Sequence, residues 1–375
     1  MEKELFKTYV HDYINLLSSY LQGNSLEGES IDKNKISFYI RLSKFHSLTA
    51  LLYKAVVETK VSIDESELKR LEECYLSNVR KSVLFVKERE TLYQYLNDNK
   101  VDYLPLKGLV LQDYYPDSLT REFADNDILF DDSNSNLIRT FFKNRGYEIK
   151  LYKRSNHDIY MKAPFYNFEM HRKLFDEIKE FDYLNEYFVN YLKESQTEGS
   201  YEHHLKPEDF YIYFTAHSYK HYRNSGCGLR TLIDYYLYLK NNNLDFAYIN
   251  KELEKLNLLD FSCSIIELIK PLFDGLPLNE KQEEVFLFIA SSGTYGILEH
   301  SVDKKIKKKG KFKYLLSRVF PPITAYRIKY PWAYKHKALV PIAWFLRLMR
   351  GIFKQHKKTK NELKLVKEYK KDKNQ

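Results

Sequence analysis

Leu106-Lys107-Gly108, then Arg121-Glu122-Phe123-Ala124-Asp125-Asn126-Asp127, then Phe168-Glu169-Met170-His171 are the stretches that decide how this chain folds. Residues 101–106 form a short apolar run that reads as a strand, closed by Lys107-Gly108 before a helical turn over 109–115. Residues 122–130 read as a second strand. Residues 134–145 read as a helix stopped by Gly146, a usual left-handed helix stop. Residues 147–152, 157–161 and 165–171 then alternate as further strands. A small mixed sheet is expected over about 100–192.

Outward from that centre the pattern is helical on both sides, which makes the fold class α+β. Upstream, Leu68, Leu71, Tyr75, Val79, Val83 and Val86 fall at steps of three and four, behind N-cap signals at Ser62 and Asp64. Downstream, a polar stretch at 193–206 marks a boundary, and Pro207 suits the first turn of a helix running through His221. Helical patterns follow at 229–240, 245–256, 261–272 and 279–290. The expected organisation is a helical N-terminal region (1–99), the sheet region (100–192), a helical domain (205–300) and a basic arm (301–375).

The charge balance separates that arm from the rest. The net charge of +9 over 375 residues combines 23 Lys+Arg against 4 Asp+Glu in residues 301–375 with 37 against 47 before them. Such asymmetry points to a polyanionic surface: lipid headgroups, nucleic acid or an acidic partner. Three scattered cysteines (Cys74, Cys227, Cys263) exclude a disulfide scaffold and suit a reducing cytosol. No run approaches the roughly 18 apolar residues that a membrane span needs. The start, MEKELFKTYVHDY, lacks the basic-then-apolar order of a secretory signal, so a cytoplasmic location is expected.

The chemistry sits in the carboxylates. Side chains alternate along a strand, so Asp125 and Asp127 are expected on one face. Two close carboxylates raise each other's pKa unless a cation lies between them, and oxygen pairs of this kind suit Mg²⁺. Glu169 on a neighbouring strand offers a third carboxylate, enough for a second metal or for a general base. Lys107 and Gly108 at a strand-to-helix turn supply a point charge and close backbone approach for phosphate. Taken singly each feature is ordinary: a lone Asp-x-Asp is commonly a solvated turn, and Arg121 could simply pair with Asp117 or Glu122.

Taken in order, the series resembles the nucleotidyltransferase superfamily of DNA polymerase beta. More narrowly, it resembles the bacterial family of uncharacterised nucleotidyltransferases. The motifs are Leu106-Lys107-Gly108, Tyr115-Pro116-Asp117, Arg121, Asp125-Asn126-Asp127 and Phe168-Glu169-Met170-His171. The likeness continues through His217, Lys220-His221, Leu229-Arg230 and Asp234 to Phe320-Pro321-Pro322, Tyr330-Pro331-Trp332 and Leu339-Val340-Pro341. It implies a small mixed nucleotidyltransferase sheet and transfer of a nucleoside monophosphate from an NTP to an acceptor, with release of pyrophosphate. Asp125, Asp127 and Glu169 would ligate Mg²⁺ or Mn²⁺, with Glu169 alternatively taking the acceptor's proton. Lys107, Gly108 and Arg121 would meet the nucleotide. His171, Lys220 and Arg230 are candidate substrate contacts. Two departures stand out: the turn is not the usual Gly-Gly or Gly-Ser, and Asn126 replaces an apolar residue, which predicts a partly polar rear face of the strand.

Several bland pairings are expected nearby. Arg230 and Asp234, at i,i+4 spacing, read as a helix ion pair. His217 and His221, one turn apart, lack a third ligand and read as structural. In the arm, residues 342–358 plotted at about 100° per residue place Ile342, Trp344, Phe345, Leu346, Leu348, Met349, Ile352 and Phe353 on one broad face. Arg347, Arg350, Lys354, Lys357 and Lys358 fall opposite. That face either packs on protein or lies in a membrane interface. Residues 354–375 read as a basic, frayed helix or a disordered tail. The acceptor is expected to be a small molecule or a biosynthetic intermediate, saccharide or peptide. The alternatives are an RNA- or tRNA-directed, toxin-like transferase using the arm, or a non-catalytic assembly factor peripheral at the inner face of a membrane.

Overall fold

The computed structural model describes residues 3–176, 181–294, 296–353 and 355–369. Within it β1 (Tyr103–Pro105), β2 (Asn126–Phe130), β3 (Glu148–Leu151), β4 (His157–Lys162) and β5 (Tyr166–His171) form one sheet in the order β1-β2-β5-β4-β3. β2 and β5 run parallel, and the other pairs are antiparallel. The sheet is mixed, as expected, and helices flank it in sequence on both sides. Strand β2 is shorter than its sequence pattern: it begins at Asn126, so Asp125 lies one residue ahead of it. The chain divides into two compact units, Met1–Tyr219 with Gly228–Thr294 and Lys220–Cys227 with Tyr295–Gln375.

In the first unit, the alternation of the strands sorts residues onto two faces. Ile128, Phe130, Tyr160, Phe168 and Met170 bury one face against Leu92 and Leu96 of the Glu65–Asp98 helix and Ile138, Phe141 and Phe142 of the Ser135–Asn144 helix. Asp127, Glu169, His171 and His157 lie on the other.

The Glu65–Asp98 helix starts where its signals place it, with the Asp64 side chain accepting from Ser66 N at 3.0 Å. Its buried stripe differs from the expected one. Val83 is 54% exposed, and the inward positions are Leu71, Ser82, Phe85, Arg89, Leu92 and Leu96. Polar side chains along this helix reach the loop before β2 and β2 itself. Asn78 Nδ2 donates to Leu119 O at 2.7 Å, Lys81 donates to Phe123 O, and Arg89 Nη1 donates to Asn126 Oδ1 at 3.3 Å. The rear face of β2 is thus polar at Asn126, which is fully buried.

The later helices Leu229–Asn241, Phe246–Lys255, Leu259–Phe273 and Glu280–Ser292 complete this unit, the last with a capping box at Asn279 and Gln282. Buried His46 joins early and late helices: it accepts from Leu229 N at 3.1 Å and donates to Ala290 O at 2.9 Å.

The second unit is helical: Leu298–Lys309, Lys311–Val319, Pro331–Lys335, Val340–Phe353 and His356–Glu368. Its buried clusters are small, Val302, Ile306, Tyr314 and Val366 in one and Tyr326, Ala333 and Ala343 in the other. The helix expected over 342–358 ends at Phe353 and a new one begins at His356; Lys354 and residues 370–375 lie outside the described residues. No helix among the described residues is long and apolar enough to cross a membrane. All three cysteines are free thiols.

Candidate functional site

The turn after β1 is where the backbone departs from ordinary geometry. Leu106 N donates to Asp127 O at 3.0 Å, tying the turn to the strand that carries the carboxylate. Lys107 then takes φ 49° and ψ −116°, a conformation that costs a non-glycine residue on the order of 1–3 kcal/mol. Gly108 follows because there is no room for a side chain: a Cβ there would collide with the Arg121 guanidinium.

The turn delivers the Lys107 ammonium to Asp127, 2.6 Å from Oδ1. The same oxygen receives His171 Nε2 at 2.7 Å. Asp127 and Glu169 are register partners across the parallel β2–β5 pair, so their side chains lie next to one another on the open face. Glu169 Oε2 is 3.9 Å from His171 Nε2 and 3.7 Å from His157 Nε2. His157 arrives from β4, where it pairs with His171. One ligand atom from each of His157, Glu169 and His171 lies within 4.8 Å of the others, a group able to hold a metal ion.

The electrostatics follow from burial and crowding. Burial, reinforced by the negative charge of Asp127, pushes the Asp125 carboxyl up to about 6 and the Glu169 carboxyl up to about 7. Burial acts on Asp127 in the same direction, but Lys107 and His171 outweigh it and hold that carboxyl well below the usual carboxylate range. Lys107 is correspondingly held cationic: desolvation opposes its charge, and Asp127 more than offsets that. Burial lowers both histidines, His157 to about 3, so their rings are neutral.

The residues singled out in the sequence are distributed as follows. Asp127, Glu169, Lys107 and His171 come together on one face, and Asp125, one residue ahead of β2, lies within electrostatic reach of Asp127 and Lys107. Arg121 does not offer its charge there: its guanidinium makes a buried two-point pair with Asp234, Nε to Oδ1 at 2.9 Å and Nη2 to Oδ2 at 2.8 Å. Tyr115 donates to the same Asp234 oxygen at 2.8 Å. The expected Arg230–Asp234 helix pair is therefore replaced. Asp234 is taken by the more deeply buried Arg121, and Arg230 Nη1 donates to Glu122 O at 2.8 Å instead. There it holds the backbone beside Asp125 and lends it a stabilising positive charge. Glu122 itself caps the Thr49–Glu58 helix, accepting from Thr49 N at 2.6 Å and Ala50 N at 3.0 Å. Lys220 belongs to the second unit.

Two residues were not read from the sequence. His157 is one; its place depends on the β4–β5 register, and the only hint was a histidine in an alternating strand. The other is Tyr213, on the Pro207–Asn224 helix. It is fully buried, its hydroxyl has no hydrogen-bond partner among the described residues, and it lies within electrostatic reach of Lys107, Asp127 and Glu169. Its signal was faint, one Tyr among 33.

No curated protein and no solved structure matches the chain. A family model does: the one described as an uncharacterised nucleotidyltransferase matches residues 32–274, from the early helices through the sheet to the helix that follows Asp234 and beyond. The matched span contains the whole carboxylate cluster, its lysine and the buried arginine pair, and on that span the chain belongs to the uncharacterised nucleotidyltransferase family and is a transferase of nucleotidyl groups.

Proposed function

We propose that this protein transfers a nucleoside monophosphate from an NTP, ATP being the first candidate, to a hydroxyl of a small molecule or a biosynthetic intermediate such as a saccharide or peptide. The observation that carries the reading is the pairing of Asp127 with Glu169 on one sheet face beside the Lys107 turn, with Asp125 just ahead of the strand and within their electrostatic reach. The donor set fits a divalent cation: three carboxylates are hard oxygen donors suited to Mg²⁺, and the neighbouring imidazoles His157 and His171 also admit Mn²⁺. Such an ion supplies charge neutralisation to the triphosphate. Asp125 and Asp127 would hold it, with Glu169 completing the set.

The chain's own residues do the rest. In the reaction the acceptor oxygen bonds to the α-phosphorus, the bond to the bridging oxygen breaks, and pyrophosphate leaves. Where Asp125 and Asp127 alone hold the ion, Glu169 is instead the group that accepts the proton released by the acceptor hydroxyl. Lys107, permanently cationic, offsets triphosphate charge. Arg121 and Arg230 act as positioning residues, fixing the loop that presents Asp125. The enzyme is placed in the cytoplasm, peripheral at the inner face of a membrane, with the basic arm as its attachment.

Thermal shift with ATP, GTP, CTP and UTP, each with and without Mg²⁺, tests the reading. At least one NTP is expected to stabilise the wild type only with the metal, and Asp127→Ala to lose that response. Because removing Asp127 leaves Lys107 without its carboxylate, Asp127→Asn is the control that keeps an acceptor oxygen there. A folded wild type indifferent to every NTP overturns the proposal.

A further inference from the structure

The second unit carries two helices whose apolar stripes point outward. On Lys311–Val319 and the residue after it, Phe312, Leu316, Val319 and Phe320 recur at helical spacing and are 77%, 47%, 39% and 59% exposed. On Val340–Phe353 the stripe is Ile342, Phe345, Leu346, Ile352 and Phe353, between 44% and 69% exposed. A water-soluble helix of this kind ordinarily turns such a stripe inward.

Here the rotation of the second helix is set by hydrogen bonds. The last carbonyls of the Lys311–Val319 helix have no partner within it, as at any helix C-terminus. Trp344 Nε1 donates to Val319 O at 2.7 Å, and Arg347 Nη1 donates to Arg318 O at 2.8 Å. The Trp344 ring stacks on Phe320 with centroids 5.4 Å apart. Trp344 and Arg347 must therefore face the neighbouring helix, together with buried Ala343. The stripe, roughly half a turn away at about 100° per residue, is left facing solvent.

Charge surrounds these stripes. Lys311 and Lys313 are exposed on the first stripe's helix, Lys307 and Lys309 on the helix before it, and Arg350 on the second stripe's helix. Between the Val340–Phe353 and His356–Glu368 helices lies a cleft of about 520 Å³, lined by Gly351, Ile352 and Leu363 and rimmed by His356, Lys360, Lys364 and Lys367. Apolar floor and cationic rim together match an anionic amphiphile. A polyanion without an apolar portion, such as RNA, leaves the stripes uncovered.

We infer that this unit docks on an anionic phospholipid surface, with the phenylalanines and isoleucines of the Val340–Phe353 stripe inserted at the headgroup–acyl boundary and neighbouring lysines on the phosphates. The inference rests on the peripheral placement proposed above and deepens it; it does not depend on nucleotidyl transfer.

The two tryptophans of the chain, Trp332 and Trp344, both lie in this unit and report on it directly. The full-length protein is mixed with vesicles of phosphatidylglycerol and phosphatidylcholine in equal parts, and with phosphatidylcholine alone. Co-sedimentation with the anionic vesicles is expected, with blue-shifted tryptophan emission quenched by lipids brominated in the acyl chains. The double variant Phe345→Ser/Phe353→Ser, altered only at exposed positions, is expected to bind roughly a hundredfold more weakly. The triple variant Lys307→Glu/Lys309→Glu/Lys313→Glu is expected to weaken binding as well and to remove most of its salt dependence.

If the serine variant binds like the wild type while the glutamate variant does not, attachment is electrostatic alone: peripheral placement stands and the inserted stripe falls. If the wild type ignores anionic vesicles, both fall, whatever the NTP experiment shows. In that case salt-sensitive RNA binding would name one other occupant. A dimer dissociated by the serine substitutions would name a second copy of the chain.

Discussion

Asp127 Oδ1 receives both Lys107 and His171, and this decides how the three carboxylates titrate. Asp127 is held below the usual carboxylate range, so its stabilising contribution is present at neutral pH and lost only in strong acid. Glu169 and Asp125 behave oppositely. Their carboxyls are raised, the folded state binds more protons than the unfolded, and metal-free stability falls as pH rises from about 4.5 to about 7. The melting midpoint of metal-free protein is expected to drop across that interval, and Glu169→Gln to flatten the drop. Mg²⁺ should restore the midpoint most at the upper end, where it competes with fewer protons. A midpoint rising through the same interval in wild type would contradict the site's electrostatics. At the same scale, the Tyr213 hydroxyl is buried without a hydrogen-bond partner among the described residues. Tyr213→Phe is expected to leave stability equal or higher, by up to about 1 kcal/mol, while lowering turnover. Unchanged turnover would make the hydroxyl a bystander.

At the scale of elements, the site is a loop clamped from two sides. Polar side chains of the Glu65–Asp98 helix grip its backbone at Leu119 and Phe123, and the Leu229–Asn241 helix contributes Asp234 and Arg230. The Arg121–Asp234 pair is fully enclosed, so removing one partner leaves a buried charge. Asp234→Ala is expected to cost about 3–5 kcal/mol, measured by urea unfolding, because Arg121 and Tyr115 both lose their acceptor. A cost under about 1 kcal/mol would mean that Arg121 is free to swing toward a phosphate. Most of the helices and strands of the first unit were legible, with the cap at Asp64 and the stop at Gly146. The inward stripe of the long helix was not. Val83 follows the apolar period yet faces solvent, while Asn78 and Lys81 reach the loop's carbonyls and Arg89 reaches the side chain of Asn126.

Across the whole molecule, two compact units differ in composition: the first is mildly acidic overall, and the arm within the second is strongly basic. The tryptophans belong to the second unit and the buried arginine pair to the first. If the units unfold independently, Asp234→Ala lowers the transition read by far-ultraviolet circular dichroism and leaves the tryptophan-read transition in place. That split is the expected result, and a parallel fall of both would show one cooperative body. The arm's charge and its amphipathic period were both plain in the sequence. Which way the apolar side turned was not, since Trp344 and Arg347 sit where hydrogen bonding, and not hydrophobicity, sets the rotation.

The sequence by itself determined the local things: the lysine-glycine turn, the two aspartates one residue apart, a glutamate and a histidine two apart on a later strand, and the caps that start and stop helices. These depend on the two-residue and 3.6-residue periods of the backbone, which any short window exposes. The tertiary structure decided the partnerships. Asp127 meets Glu169 through a parallel register, His157 joins through a hairpin, and Arg121 finds Asp234 at a separation of 113 residues. The reason is physical: a buried charge or an unfilled carbonyl takes whichever partner folding brings within about 3 Å, and sequence distance places no constraint on that choice.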